Sequence, residues 1–284
     1  MRVLLLGHPV DHSLSPVMQN AAFKALRRED VYETVDVPPG RLEDYLTMLR
    51  ESPPYLGANV TVPYKVDAAG AIDELDRDAQ VLGAVNTIVT RDGRLKGYNT
   101  DVHGAWEGLL GKVRDSLLAS RILILGAGGG ARAVVAALSR SLVARPAVVV
   151  VAARRAEARA DLLAVAEDVG IRATSVPWSQ LASAAGSSDI LVNATPLGLR
   201  GEDDPLAGIA LGGKVVLDLA YRPGGTPLFR RAWREGALAL QGDEMLLHQG
   251  AAAFTLWTGQ DAPIDAMRKA LAAALDHATS SRDR

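Results

Sequence analysis

The sequence predicts an α/β protein of two domains, one of them built on a doubly wound parallel sheet. Three observations carry that expectation. The chain has 284 residues, room for about two domains at roughly 150 residues each. Short apolar runs alternate with helix-like stretches along most of its length, the pattern of strands and helices taking turns. In the second half the apolar runs are continuous rather than alternating, as at 147–152, which is how strands covered on both faces read.

Residues 3–6, 31–37 and 56–60 read as strands, and 16–26 and 41–50 as helices. Asp92-Gly93 then joins the segments 84–90 and 95–101 by a two-residue hairpin turn. That turn makes Arg91 oppose Arg94, so Asn86 faces Asn99 and Ala84 faces Asp101. From Arg121 the alternation becomes regular: strand 122–125, helix 131–142, strand 147–152, and helix 156–169 with Gly170 as its C-terminal cap. Strands follow at 171–176, 189–194, 215–219 and 237–240, with helical segments between most of them. Helices at 243–257 and 264–277 close the pattern, and 279–284 read as a frayed tail.

Composition excludes several classes of function. Lys and Arg number 31 against 33 Asp and Glu, for a net charge of −2. Without a basic surplus, nucleic acid and anionic membranes are poor partners. There is no Cys, which removes disulfides, thiolate nucleophiles, iron–sulfur clusters and Cys-based zinc sites. Redox chemistry on this chain would therefore need a borrowed cofactor. The apolar run at 3–6 stops at Gly7, too short for a signal peptide or a membrane span, and the expected compartment is the cytoplasm.

Gly126, Gly128 and Ala131 fit the Gly-x-Gly-x-x-Gly/Ala fingerprint, directly after strand 122–125 and at the opening of a helix. The first glycine permits the tight turn and the second lets backbone N–H groups approach a pyrophosphate. The small third residue allows close helix–strand packing beneath the helix dipole. Strand, loop, helix and apolar second strand together make this a dinucleotide site of the Rossmann kind. An NAD site would place a carboxylate at the tip of the second strand, against the ribose 2′-hydroxyl. Here the tip is Ala153-Arg154-Arg155. Two guanidiniums suit a 2′-phosphate, at about 1.5 to 3 kcal/mol for each charged hydrogen bond, so NADP is expected over NAD. The plainer alternative is a solvated Arg pair opening a helix, with Glu157 close by.

A second constellation gathers short polar side chains at strand ends: Ser13, Ser15, Asn59, Thr61, Asn86, Asn99 and Asp101, with Lys65 among them. Asn59 and Thr61 alternate with Val60 and Val62, so both polar groups share one face. The hairpin register makes Asn86 and Asp101 diagonal neighbours about 7 to 8 Å apart, within reach of one small polyhydroxyl ligand. Lys65 follows Pro63-Tyr64 and is placed to open a helix. Other chemistries lack their residues: no Tyr has a Lys four positions on, no His-Glu-x-x-His occurs, and Ser13 has no nucleophile-elbow glycines. His8 and His12 straddle Pro9 and read as packing residues rather than metal ligands.

These motifs, in order, resemble those of the shikimate dehydrogenases. The resemblance runs through Gly7-His8-Pro9-Val10-Asp11-His12-Ser13-Leu14-Ser15-Pro16, Asn59-Val60-Thr61-Val62-Pro63-Tyr64-Lys65, Gly83-Ala84-Val85-Asn86-Thr87 and Gly97-Tyr98-Asn99-Thr100-Asp101. It continues through Gly126-Ala127-Gly128-Gly129, Asn193-Ala194-Thr195-Pro196, Asp218-Leu219-Ala220-Tyr221 and Met245-Leu246-Leu247-His248-Gln249-Gly250. It implies reversible, NADPH-dependent reduction of the 3-ketone of 3-dehydroshikimate to shikimate, on the route to chorismate and the aromatic amino acids. By the same resemblance Ser13 and Ser15 hold the substrate carboxylate with Tyr221, and Thr61, Asn86, Asp101 and Gln249 hold ring hydroxyls. Lys65 and Asp101 form the catalytic pair, with Lys65 as proton donor and Asp101 orienting substrate.

The resemblance further implies that Gly126, Ala127, Gly128, Gly129, Gly130 and Ala131, with Arg154 and Arg155, bind NADP. It implies a discontinuous substrate domain, residues 1–102 and 241–284, and an NADP-binding Rossmann domain, residues 103–240, with a cleft between them. The expected partner is a small molecule, on a chain that is a monomer or homodimer. Two departures stand out. The family's Asn-Arg-Thr phosphate clamp is Ala153-Arg154-Arg155 here, and Gly130 replaces a common Ala. The rival within the family is an NAD-linked quinate/shikimate dehydrogenase; Ser15 and the missing acidic residue lean toward shikimate and NADP.

Overall fold

The structure, a computed structural model, describes residues 1–280 apart from 12, 52–53 and 142–143. The expectation for His12 lies outside the described residues, as do those for Leu142 and for the tail beyond Ser280. The contacts divide the chain into two units: Met1–His103 with Leu246–Ala274, and Gly104–Met245 with the residues from Leu275 on.

The first unit opens with β1 (Arg2–Gly7), α1 (Ser15–Ala25), β2 (Val31–Asp36), α2 (Leu42–Glu51) and β3 (Tyr55–Val60). Then come α3 (Lys65–Ala71), β4 (Glu74–Leu75), α4 (Arg77–Leu82), β5 (Thr87–Arg91) and β6 (Arg94–Tyr98). The sheet runs β2-β1-β3-β5-β6-β4. Its β1, β2 and β3 are parallel, while β5 is antiparallel to both β3 and β6. Parallel pairing around β1 explains why Val3–Leu6 is an unbroken apolar run: every residue of it is buried. α2 places Leu42, Leu46 and Leu49 on one face, packed with Leu4, Leu6, Ile88 and Leu95.

The hairpin has the expected register, Arg91 opposite Arg94 and Thr87 opposite Tyr98. Asp92 and Gly93 take φ of 50° and 72°, as a type I′ turn requires. The strands are shorter than expected. Asn86 and Asn99 lie outside the ladder, and Asp101 opens α5 (Asp101–Gly108) instead of pairing with Ala84. The Asn99 side chain donates to the Ala84 carbonyl at 2.9 Å, which closes the open end of the hairpin without further strand pairing.

The second unit holds α6 (Arg114–Leu117), β7 (Arg121–Leu125), α7 (Gly129–Leu138), β8 (Val148–Ala153), α8 (Ala156–Asp168) and β9 (Ala173–Pro177). It continues with α9 (Leu181–Gly186), β10 (Ile190–Asn193), β11 (Val215–Asp218), α10 (Pro227–Arg234) and β12 (Leu238–Gln241). All neighbours in the order β12-β11-β10-β7-β8-β9 are parallel. This is the doubly wound sheet the continuous apolar runs predicted, with the order reversing beside β7, the strand that leads into the glycine loop. α8 ends where Gly170, at φ 69°, turns its N–H back to the Glu167 carbonyl.

α11 (Gly242–Thr258) and α12 (Ile264–Ser280) complete the chain, and their central parts pack in the first unit. Trp257 Nε1 donates to the Ile88 carbonyl at 2.9 Å, and Gln19 Nε2 donates to the Gly250 carbonyl at 2.9 Å. Several boundaries differ from expectation. α7 stops at Leu138 because the Ser139 hydroxyl turns back onto the Ala136 carbonyl at 2.7 Å, and α12 runs through Thr279 to Ser280. α4 was not expected, although Asp76 caps it by accepting from the Ala79 N–H and Gly83 closes it at φ 57°. No helix among the described residues is long and apolar enough to cross a membrane.

Candidate active site

Lys65 is the first residue of α3 and Asp101 the first of α5, and both helices begin as the chain leaves this sheet. Their side chains meet: Lys65 Nζ donates to Asp101 Oδ2 at 2.5 Å. With 25% and 14% of their side-chain surface exposed, the pair is shielded enough that the charges attract more than in open water, yet Lys65 stays reachable. Asn86 Nδ2 donates to Asp101 Oδ1 at 2.8 Å. The pair expected to be diagonal neighbours is therefore in direct contact, because α5 carries Asp101 back over the end of the hairpin.

Gln249, on α11, joins the same cluster. Its Oε1 lies 3.4 Å from both Asn86 Nδ2 and Thr100 Oγ1, and its Nε2 donates to the Leu246 carbonyl at 3.0 Å. Ser13 and Ser15 form a short turn into α1, the Ser15 N–H donating to the Ser13 hydroxyl at 3.2 Å. Thr61 follows β3 directly, its N–H held by the Leu6 carbonyl. Tyr221 belongs to the second unit and follows β11; burial pushes its phenol up to about 12. His8 pairs with Asp36 at 3.0 Å.

In the second unit a cavity of about 630 Å³ lies over the ends of the strands, lined by Gly126–Gly128, Ala153–Arg155, Ala158, Trp178 and Ala194–Leu197. Gly126 sits at φ 96°, where a Cβ would press on the Ala194 carbonyl at 3.0 Å, so only glycine fits the turn. At Gly128 a Cβ would meet nothing within 4 Å; the space a side chain would fill is open beside the first turn of α7. Gly129, Gly130 and Ala131 form that turn. An open cradle at a helix N-terminus with two guanidiniums on one wall fits a phosphorylated dinucleotide.

The loop 194–197 is held from beneath by a buried network. Asn193 Oδ1 accepts from the Thr195 N–H and hydroxyl at 3.1 and 2.6 Å, and Asn193 Nδ2 donates to Asp218 Oδ1 at 2.8 Å. Asp218 also accepts from the Thr226 hydroxyl at 2.5 Å and the Ala220 N–H at 3.1 Å. Burial outweighs these bonds and pushes the Asp218 carboxyl up to about 6. A carboxyl raised in the folded state binds a proton there that the unfolded chain, titrating near 4, has released. This group therefore lowers stability as pH rises from about 4 to about 6, by roughly 2 to 3 kcal/mol. Urea unfolding at pH 4.5 and 7.5 is expected to show Asp218→Asn gaining on the wild type by that margin at the higher pH. An equal stability difference at both pH values would refute the assignment.

Residues 5–88 match the family model described as the shikimate dehydrogenase substrate binding domain, and residues 242–272 match the shikimate 5′-dehydrogenase C-terminal domain. The NADP(+) shikimate dehydrogenase of Methanopyrus kandleri is 41% identical over 275 residues, covering 94% of this chain and 93% of that protein. The chain belongs to the shikimate dehydrogenase family.

Solved structures of the shikimate dehydrogenase fold agree in architecture. The Thermus thermophilus enzyme, in complex with NADP(H) and shikimate, is 37% identical at a TM-score of 0.80, covering 96% of this chain and 99% of that one. The Corynebacterium glutamicum quinate dehydrogenase, in complex with NAD, is 29% identical at a TM-score of 0.85, covering 96% and 99%. The shikimate dehydrogenase fold thus carries more than one substrate and cofactor.

Sequence reasoning passed over four contributors. Thr87 and Thr100 enter the Asn86 cluster, and the signal was an Asn-Thr pair on each arm of the hairpin's open end. Trp178 lines the cavity at the end of β9, where ligands of open parallel sheets gather. Arg159 Nη1 donates to the Ala153 and Arg154 carbonyls at 2.7 and 3.3 Å. One helical turn after Arg155, it holds the strand tip that carries the Arg pair.

Proposed function

We propose that this chain catalyses the reversible, NADPH-dependent reduction of 3-dehydroshikimate to shikimate, serving aromatic amino-acid biosynthesis. The observation that carries this reading is the Lys65–Asp101 contact at 2.5 Å, with Asn86 on the other carboxylate oxygen, on a chain that also bears a glycine loop and an Arg pair around one cavity. NADPH, when bound, supplies the hydride to the carbonyl carbon. The chain's own residues do the rest. Lys65 Nζ gives a proton to the carbonyl oxygen as charge develops on it, and takes it back in the oxidative direction. Asp101 holds that ammonium in place and accepts from a ring hydroxyl. Ser13 and Ser15 bind the carboxylate; Thr61, Asn86 and Gln249 bind hydroxyls.

In this reading residues 1–102 and 241–284 serve the substrate and residues 103–240 serve NADP, with Gly126–Ala131 around the pyrophosphate. The partner is a small molecule and the compartment the cytoplasm. Arg154 reads the 2′-phosphate. Arg154→Ala is expected to raise KM for NADP+ by about tenfold or more and to leave NAD+ kinetics unchanged. Equal damage to both cofactors would place the 2′-phosphate elsewhere. The deciding experiment is steady-state turnover of shikimate and of quinate, each with NAD+ and NADP+. Shikimate with NADP+ is expected to give the highest kcat/KM; a higher value for quinate with NAD+ would overturn the reading in favour of the quinate-linked branch.

A further inference from the structure

Behind the reacting groups of the first unit lies a buried polar chain whose members Tyr32, Asn59 and Thr87 have no role in the proposed mechanism. It starts at Tyr32 on β2, which is 2% exposed and reaches past β1 to β3. The Tyr32 hydroxyl donates to Asn59 Oδ1 at 2.7 Å. Asn59 uses both of its amide hydrogens, Nδ2 donating to the Asn86 carbonyl at 2.9 Å and to the Thr87 hydroxyl at 3.0 Å. Thr87 faces Asn59 across the β3–β5 pair and passes its own hydrogen to Asn86 Oδ1 at 3.0 Å. The Thr100 N–H also donates to Asn86 Oδ1, at 2.8 Å.

The direction of each bond is determined. The Asn86 carbonyl can only accept, so Asn59 must turn its nitrogen that way and its oxygen to Tyr32. The Thr100 N–H can only donate, so Asn86 must turn its oxygen to that N–H and the Thr87 hydroxyl, and its nitrogen to Asp101 and the Thr100 hydroxyl. Burial pushes the Tyr32 phenol well above its ordinary range, so it stays a protonated donor. Asn59, Asn86 and Thr87 are all nearly or wholly buried, so no water replaces a lost partner.

We infer that Tyr32, Asn59 and Thr87 are positioning residues for the reaction: a one-directional hydrogen-bond chain from Tyr32 to Asn86 that holds the amide orientation on which Asp101, and through it Lys65, depends. This rests on the function proposed above. Losing the Tyr32 hydroxyl leaves Asn59 Oδ1 buried and unpaired, with the amide held from its nitrogen side alone. Losing the Thr87 hydroxyl removes one of the three contacts that hold Asn86 Oδ1. Either change loosens the carboxylate that holds the Lys65 ammonium.

The test is steady-state shikimate oxidation by Tyr32→Phe, Thr87→Val, Thr87→Ser and the double variant Tyr32→Phe/Thr87→Val. Tyr32→Phe and Thr87→Val are each expected to lower kcat/KM for shikimate roughly tenfold, with KM for NADP+ unchanged. Thr87→Ser, which keeps the hydroxyl, is expected to recover most of the loss. The double variant is expected to be little worse than the worse single one, because both break the same chain. Wild-type kinetics in Tyr32→Phe and Thr87→Val would overturn the inference, as would losses that multiply, or Thr87→Ser no better than Thr87→Val. Should Tyr32→Phe not fold, the two Thr87 variants decide alone. A wild-type chain that fails to turn over shikimate would overturn the proposed function and this inference together; normal wild-type turnover with unaffected variants would overturn the inference alone.

Discussion

Replacing Lys65 by alanine is expected to lower kcat for shikimate oxidation by about 10² to 10⁴, the range for losing a positioned acid–base group, while KM for shikimate changes far less. The reason lies in what the ammonium touches. It is held by Asp101 Oδ2 at 2.5 Å, and in the function proposed above the substrate's other groups have their own partners among Ser13, Ser15, Thr61, Asn86 and Gln249. Binding energy is then spread over many contacts, whereas charge on the reacting oxygen meets a single donor. An interaction made mainly in the transition state appears in kcat rather than KM. Steady-state kinetics over a range of shikimate at saturating NADP+ checks this. A kcat within a few-fold of wild type would remove Lys65 from the chemistry.

Asp101→Asn is expected to cost about 10²-fold in kcat/KM for shikimate, with KM for NADP+ unaffected. Two donors converge on this carboxylate, Lys65 Nζ on Oδ2 and Asn86 Nδ2 on Oδ1. An amide of the same shape offers one oxygen and one NH₂ group, so one of the two donors would face another donor. The ammonium also loses its counter-charge. The variant keeps the volume of the side chain, so folding should be little affected, and circular dichroism melting in parallel separates a folding defect from a catalytic one. Near-wild-type kcat/KM with an unchanged melting point would contradict the pairing.

Much of the fold was legible because certain backbone shapes demand certain residues. Asp92-Gly93 adopts two left-handed positions and so set the hairpin register; Gly126 fills a turn with no room for a side chain; Gly170 ends α8. Continuous runs such as 147–152 announced strands covered on both faces. Local pattern fails where the deciding contact is distant. Nothing near Trp257 in sequence shows that its indole will bond the Ile88 carbonyl, 169 residues away. Nor does a period-two reading show that the chain leaves the ladder after Tyr98 and starts a helix at Asp101, although that departure brings Asn86 and Asp101 into hydrogen-bonding contact. The short α4 was readable from Asp76 and Gly83 and was passed over because its apolar face is only two residues, Ala79 and Leu82. Thr87 and Thr100 were masked by the asparagines beside them.

Single-turnover oxidation of shikimate by enzyme preloaded with NADP+, wild type against Lys65→Ala, tests the Lys65–Asp101 assignment most directly, because it reads the chemical step apart from substrate binding and product release. The expected result is prompt NADPH formation by the wild type and formation slowed by about 10² to 10⁴ in the variant, with both ligands still bound. Equal single-turnover rates in the two proteins would contradict the assignment.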